Sequence, residues 1–197
     1  MFVTTRTDLI KGALRLFATT GFRSTSIADI EAEAGLAPGS GGMYRHFPSK
    51  RSLFESAVEW AEATAYAPAG VDERLLDLSE PRTALQAAAE SALVATRRAS
   101  DFHIAILKAG PDSPITVEEV GQRLVLPSYR QFALWLQLFA EAGKFREVDY
   151  EAYAAAALGS VVWFHFSTVL AGTTPCALTE ERFIEGWVSL HFEALQR

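Results

Sequence analysis

Between Thr25 and Lys50 the chain sets out three hydroxyls, a glycine pair, a phenol, a guanidinium, an imidazole and an ammonium: Thr25, Ser26, Ser40, Gly41, Gly42, Tyr44, Arg45, His46 and Lys50. No subset of these is spaced to make or break a covalent bond. All of them can hold an anion. Hydroxyls and helix-start amides donate to phosphate oxygens, lysine adds a point charge, and arginine fits either a phosphate or the O6/N7 edge of guanine. Thr25, Ser26, Tyr44 and Lys50 are candidates for the backbone of a nucleic acid, and Ser40, Gly41 and Arg45 for base edges. His46 is either a phosphate contact or a simple helix cap. Gly41 and Gly42 would each cost on the order of 1 kcal/mol relative to alanine inside a helix. They make sense where a side chain would hold the backbone away from a groove, or where the chain turns irregularly.

These side chains need short, sharply joined helices. Ser26 precedes the apolar series Ile27, Ile30, Ala34, with Asp29 three residues on, the pattern of a reciprocal helix cap. Gly35 suits the left-handed residue that ends a helix. Pro38 can open a second, polar helix, and Pro48 prevents it from continuing. Met43 and Phe47 anchor that helix at i,i+4. Ahead of the pair, Thr7–Thr19 carries Ile10, Ala13, Leu14 and Phe17 on one stripe and stops at Gly21. Behind it, Ser49 caps a helix with Leu53, Phe54, Ala57, Val58 and Ala61 inward. Phe22, Ile27, Ile30, Met43, Phe47 and Phe54 are expected to close one small core. Asp29, Glu31 and Glu33 read as a solvated face. Lys50 and Arg51 oppose the dipole of their own helix start, a cost of roughly 0.3–1 kcal/mol each that a bound phosphate would reverse; otherwise they are a solvated pair. Two small helices, a tight turn and a polar second helix describe a helix-turn-helix.

The run TSIADIEAEAG followed by GGMYRHFPSK resembles the amino-terminal domain of TetR-family transcriptional repressors, which reads roughly A-G-V-S-x-G-T-L-Y-x-Y-F-x-S-K here. Ala34, Gly35, Leu36, Gly41, Gly42, Met43, Tyr44, His46, Phe47, Ser49 and Lys50 match. Gly35 stands nine residues before Tyr44, two more than is usual in the family, so two extra residues lie within Ala37-Pro38-Gly39-Ser40. That leaves open which side chain begins the reading helix. The resemblance covers about the first quarter of the chain. It implies an all-α protein: a three-helix helix-turn-helix domain over 1–64 and a helical effector-binding and dimerisation domain over 65–197. It further implies double-stranded DNA with a near-palindromic operator as partner, a second copy of the chain, and a small-molecule effector.

Charge is unevenly shared. Residues 1–51 hold seven basic side chains against four acidic ones, while the 197-residue chain as a whole is −6. A basic head on an acidic body suits phosphate contact through one end. One cysteine, Cys176, excludes an internal disulfide and multi-cysteine metal sites. The first residues have no apolar run of signal-peptide length, and a reduced cytoplasm is expected.

After a joint over Ala65–Pro81, the body reads as helical. Thr83–Ser100 and Phe102–Ala109 form one long helix or two abutting ones, GPDSP breaks the chain, and residues 115–142 and 152–171 follow, then a helix capped by Thr179. Residues 152–171 are long and apolar enough to span a membrane. Their histidine, serines and glycine, with no flanking basic residues, favour a helix buried by the body on one face and a second subunit on the other; no membrane partner is expected. Phe102, His103, Leu107, Trp135, Phe139, Trp163 and Phe166 are candidate walls for a mostly apolar or aromatic effector. Gly159, Val162, Phe183, Trp187, Leu190 and His191 are candidates for the dimer interface. Four scattered histidines have no metal spacing, and no nucleophile elbow or P-loop occurs, so neither an enzyme nor a cofactor is expected. The preferred reading is a one-component regulator, most simply a repressor. A helical carrier with a silent head, and a membrane-tethered protein, are the rivals.

Overall fold

The computed structural model describes residues 6–66, 72–110 and 113–196. Among the described residues every regular element is helical. The α-helices are α1 (Arg6–Thr20), α2 (Ile27–Glu33), α3 (Lys50–Ala61), α4 (Pro81–Arg98), α5 (Ser100–Ala109), α6 (Val117–Val120), α7 (Leu126–Glu141), α8 (Tyr150–Ala171) and α9 (Glu180–Leu195). The starts lie where side chains can cap them. Ser26, Ser49 and Thr179 accept hydrogen bonds from the amides of Asp29, Ser52 and Arg182. Helices α4 and α5 are two elements parted at Ala99, and Pro127 falls in the first turn of α7, where its missing N–H costs nothing. Of the expected joint and chain break, Pro68, Gly70, Pro111 and Asp112 lie outside the described residues.

The chain forms two compact units: Met1–Ala67 with Arg98–Leu124, and Pro68–Arg97 with Val125–Arg197. The first therefore takes in a stretch that the sequence reading assigned to the second domain. Its core explains why. Leu9, Ile10, Ala13, Phe17, Ile30, Met43, Phe47, Leu53 and Phe54 are sealed together with Phe102, Ala105 and Ile106 of α5. Helix α1 is apolar on more than one side, and α5 covers what α2 and α3 leave. Lys108 of α5 also donates to the Thr19 carbonyl at the carboxyl end of α1, where a cation meets the negative pole of the helix.

Two sequence expectations need correction in this unit. Pro38 opens no helix: Ala37–Gly42 is irregular, with Gly39 and Gly41 at φ of 72° and 70°, and only a 3-10 turn, Met43–Arg45, follows. The two extra residues are absorbed as left-handed turn rather than as helix, so the glycine pair belongs to the turn. Secondly, Glu31 is not on a solvated face. It is 0% exposed, because Ile27, Ile30, Glu31 and Ala34 together make the inward stripe of α2.

The second unit is built on aromatic packing. Trp135 lies 4.6 Å from Phe139, which stacks on Phe145 at 5.0 Å, and the Trp135 indole N–H donates to the Leu75 carbonyl. Arg146 closes the far end of α9 through its amide to Leu195 and its Nε to the Ala194 carbonyl. Helix α8, with 22 residues and an 18-residue stretch of mean hydropathy 1.6, is long and apolar enough to cross a membrane. One face of it, Ala154, Ala157, Leu158, Val161 and Phe164, carries the core of this unit.

Two outcomes follow. Phe102→Ala should cost about 3–5 kcal/mol through the cavity it leaves, read as a lowered urea midpoint of the unit that contains α1. Ser26 holds the Asp29 carboxyl below its ordinary pKa of 3.8 through side-chain and backbone hydrogen bonds. The stabilisation from that cap is complete above 3.8 and is lost as pH falls through the lower folded value. Asp29→Asn should therefore flatten the acid limb of the stability–pH curve.

Candidate nucleic-acid interface

Helix α1 delivers the chain into the turn Gly21–Thr25, which three rings hold in place. Phe17, Phe22 and Phe54 meet pairwise at 5.2–5.5 Å, tying α1, the turn and α3 together. Lys50 then lies over the outer face of Phe22, its ammonium 4.7 Å from the ring centroid. The same ammonium donates to the carbonyls of Phe22 at 2.7 Å and Thr25 at 2.8 Å, with Arg23 further off at 3.4 Å. Partial burial lowers the Lys50 pKa, and the carbonyls offset that cost. The first-turn cation of α3 thus clamps the turn through the protein's own carbonyls, a role that the reading as a phosphate ligand did not include.

Two hydroxyls expected at phosphate are also used internally. Thr25 is 2% exposed; its Oγ1 donates to the Gly21 carbonyl and shares a 2.8 Å hydrogen bond with Thr20. Ser26 gives its hydroxyl and its amide to Asp29, which completes the cap of α2. Thr25 is therefore corrected from contact to scaffold, while Ser26 is exposed at the helix start that it caps.

What faces outward is the turn after α2. Tyr44 is 55% exposed, and Arg45, His46 and Ser40 are exposed beside it. Beneath them Met43 and Phe47 are buried as expected, and Phe47 is covered by the Arg6 guanidinium, 4.9 Å from its ring, while Arg6 also donates to Ser56. Gly42 is needed for packing: a Cβ there would stand 2.8 Å from Cδ1 of Leu36. The sequence reading missed Glu31, whose Oε1 accepts the Met43 amide at 3.0 Å. The available signal was its place in the apolar stripe of α2.

The candidate effector walls divide between the two units. Phe102, His103 and Leu107 belong to the first, and Trp135, Phe139, Trp163 and Phe166 to the second. Phe102 and Phe139 are corrected from wall to sealed core. His103 and Phe166 are half-buried, and Leu107 is 63% exposed.

Of the candidate interface residues, Trp187 is likewise core, its indole N–H donating to the Ala157 carbonyl and Ser160 Oγ. Phe183 stacks on Phe164 at 4.0 Å, and His191 Nδ1 lies 2.7 Å from the Tyr153 hydroxyl. Gly159 and Val162 are half-buried, while Leu190 and Trp163 are 65% and 59% exposed.

The clamp and the outward side chains should part under mutation. Lys50→Met should lower stability by about 1–2 kcal/mol, since the carbonyls lose a charged donor. Arg45→Ala should stay within about 0.5 kcal/mol of the parent, as exposed positions do. Paired urea titrations check both.

Residues 9–57 match the bacterial regulatory proteins of the tetR family. The uncharacterized HTH-type transcriptional regulator YerO of Bacillus subtilis is 44% identical over 52 residues, 26% of this chain and 17% of that protein. The HTH-type transcriptional repressor KstR2 of Rhodococcus jostii is 44% identical over 53 residues, 27% of this chain and 25% of its own. The chain thus spans a quarter or less of the length of these curated relatives. Solved structures extend the likeness in fold to the whole chain. The TetR-family regulator PfmR of Thermus thermophilus superposes with a TM-score of 0.65 at 23% identity, covering 100% of both chains. A TetR-family regulator of Haemophilus influenzae does so at 0.63 and 15%, over 98% of this chain and 96% of its own. Residues 9–57 are thus similar to the helix-turn-helix segment of the tetR family of bacterial regulatory proteins, and the chain along its length shares the all-helical fold of solved members of that family.

Proposed function

We propose that the protein is a DNA-binding transcriptional regulator, most simply a repressor, that presents Ser40, Gly41, Tyr44, Arg45 and His46 to duplex DNA. The observation that carries this reading is the division of labour around the turn. Thr25, Lys50 and Phe22 spend their polar and aromatic groups on the backbone, on Thr20 or on one another, while Tyr44, Arg45 and His46 are exposed beside a buried base of Met43 and Phe47. Arg45 takes a base edge, most naturally guanine, and Tyr44 and the exposed start of α2 at Ser26 take phosphate.

Regulators of this family bind DNA and act as dimers, and they are not enzymes. For this chain the mate is proposed along α8 and α9, where Trp163 and Leu190 are exposed large apolar side chains beside Gly159 and Val162. A two-fold pair would set its reading turns one DNA turn apart, roughly 34–36 Å, on a near-palindromic site. The second unit would answer a small apolar or aromatic effector, control by ligand being typical of the family. A coupling free energy between effector and DNA would then set occupancy of the operator. Action in the cytoplasm accords with this role.

Selection from a random duplex pool tests the proposal. The protein should enrich paired half-sites about one helical turn apart, and Arg45→Ala should relax preference at one position per half-site, at about 1–3 kcal/mol. A pool that returns no preferred sequence, or an Arg45→Ala variant with the parent's preference, overturns it.

A further inference from the structure

Glu31 is fully buried, and its Oε1 accepts the Met43 amide at 3.0 Å, across twelve residues. Oε2 is buried and has no hydrogen-bond partner among the described residues. A buried carboxyl with an unsatisfied oxygen is costly, and an apolar residue of the same size would fill the space between α2 and Met43 without that cost. The core does not need an acid here.

The turn does. Met43 is the first residue of the 3-10 turn that carries Tyr44 and Arg45. In a longer helix its amide would bond a carbonyl four residues earlier, but residue 39 is a glycine at φ 72°, outside helical conformation. The neighbouring amides find local acceptors: Gly42 bonds Ser40 Oγ at 3.3 Å, Tyr44 bonds the Gly41 carbonyl, and Arg45 bonds the Gly42 carbonyl. Met43 alone among these four reaches outside the turn, to α2. We propose that Glu31 is a positioning residue for DNA reading, a helix cap supplied from α2 that fixes where the turn begins and so where Tyr44 and Arg45 point. This rests on the function proposed above.

The test compares Glu31→Met, which keeps the volume and removes the acceptor, with Glu31→Gln, which keeps an acceptor oxygen. The probe is a duplex enriched by the unmutated protein. Glu31→Met should weaken binding about tenfold or more, with an unchanged salt slope because no phosphate contact is removed. Its thermal midpoint without DNA should be unchanged or raised. Glu31→Gln should bind within about threefold of the parent. In amide NMR spectra the Met43 resonance should move in Glu31→Met and hold its place in Glu31→Gln. Binding by Glu31→Met equal to the parent's, or a loss that merely tracks its unfolded fraction, overturns the inference alone. Failure of the unmutated protein to enrich any duplex overturns the DNA reading and this inference with it, and the Met43 resonance then reports whether the contact itself exists.

Discussion

The ammonium of Lys50 joins the parts of the head that have to move as one. It binds carbonyls at both ends of the turn between α1 and α2 and covers the ring that packs on Phe17 and Phe54. A short connection between small helices has many conformations when isolated, and fixing each residue costs about 1–2 kcal/mol of entropy. One cation with three carbonyl partners, set at the start of α3, removes that freedom at a point where no apolar side chain could bond the backbone. The position of α2 relative to α1 and α3 follows from it.

From that fixed helix the outward turn is built with little help from secondary structure. Its left-handed glycines permit the path, the Leu36 side chain excludes a methyl at Gly42, and Glu31 supplies the acceptor that a regular helix would have found in its own backbone. Local irregularity is thus matched by specific side chains on the neighbouring helix rather than by helix propensity.

Much of this was legible in the sequence. Caps at Ser26, Ser49 and Thr179, the buried stripe of α1 and the pair Met43 and Phe47 all follow from residue type and spacing, because those signals are local. What escaped was long-range. Lys50 is chemically suited to phosphate, and nothing local says that its partners are carbonyls of a turn 25 to 28 residues earlier in the chain. Glu31 reads as solvated by its type and as buried by its position in the stripe of α2, and it is buried. Phe102 is a candidate wall although an aromatic at helical spacing is more often core, and core it proves to be once α5 is found on α1. Proline's fit at a first helical position also suggests helix at Pro38, where the backbone becomes left-handed at Gly39 and Gly41 instead.

Three consecutive side chains on a 3-10 turn leave its axis about 120° apart. Met43, Tyr44 and Arg45, the three residues of the turn, therefore splay like spokes, Met43 buried and Tyr44 and Arg45 exposed, instead of forming the row that residues three and four apart make along an α-helix. A row can scan successive rungs of a ladder; spokes can address one rung and the rails on either side. In the function proposed above, such a head would carry little discrimination by itself, and the burden of telling one genomic address from another would fall on a second head at a set distance.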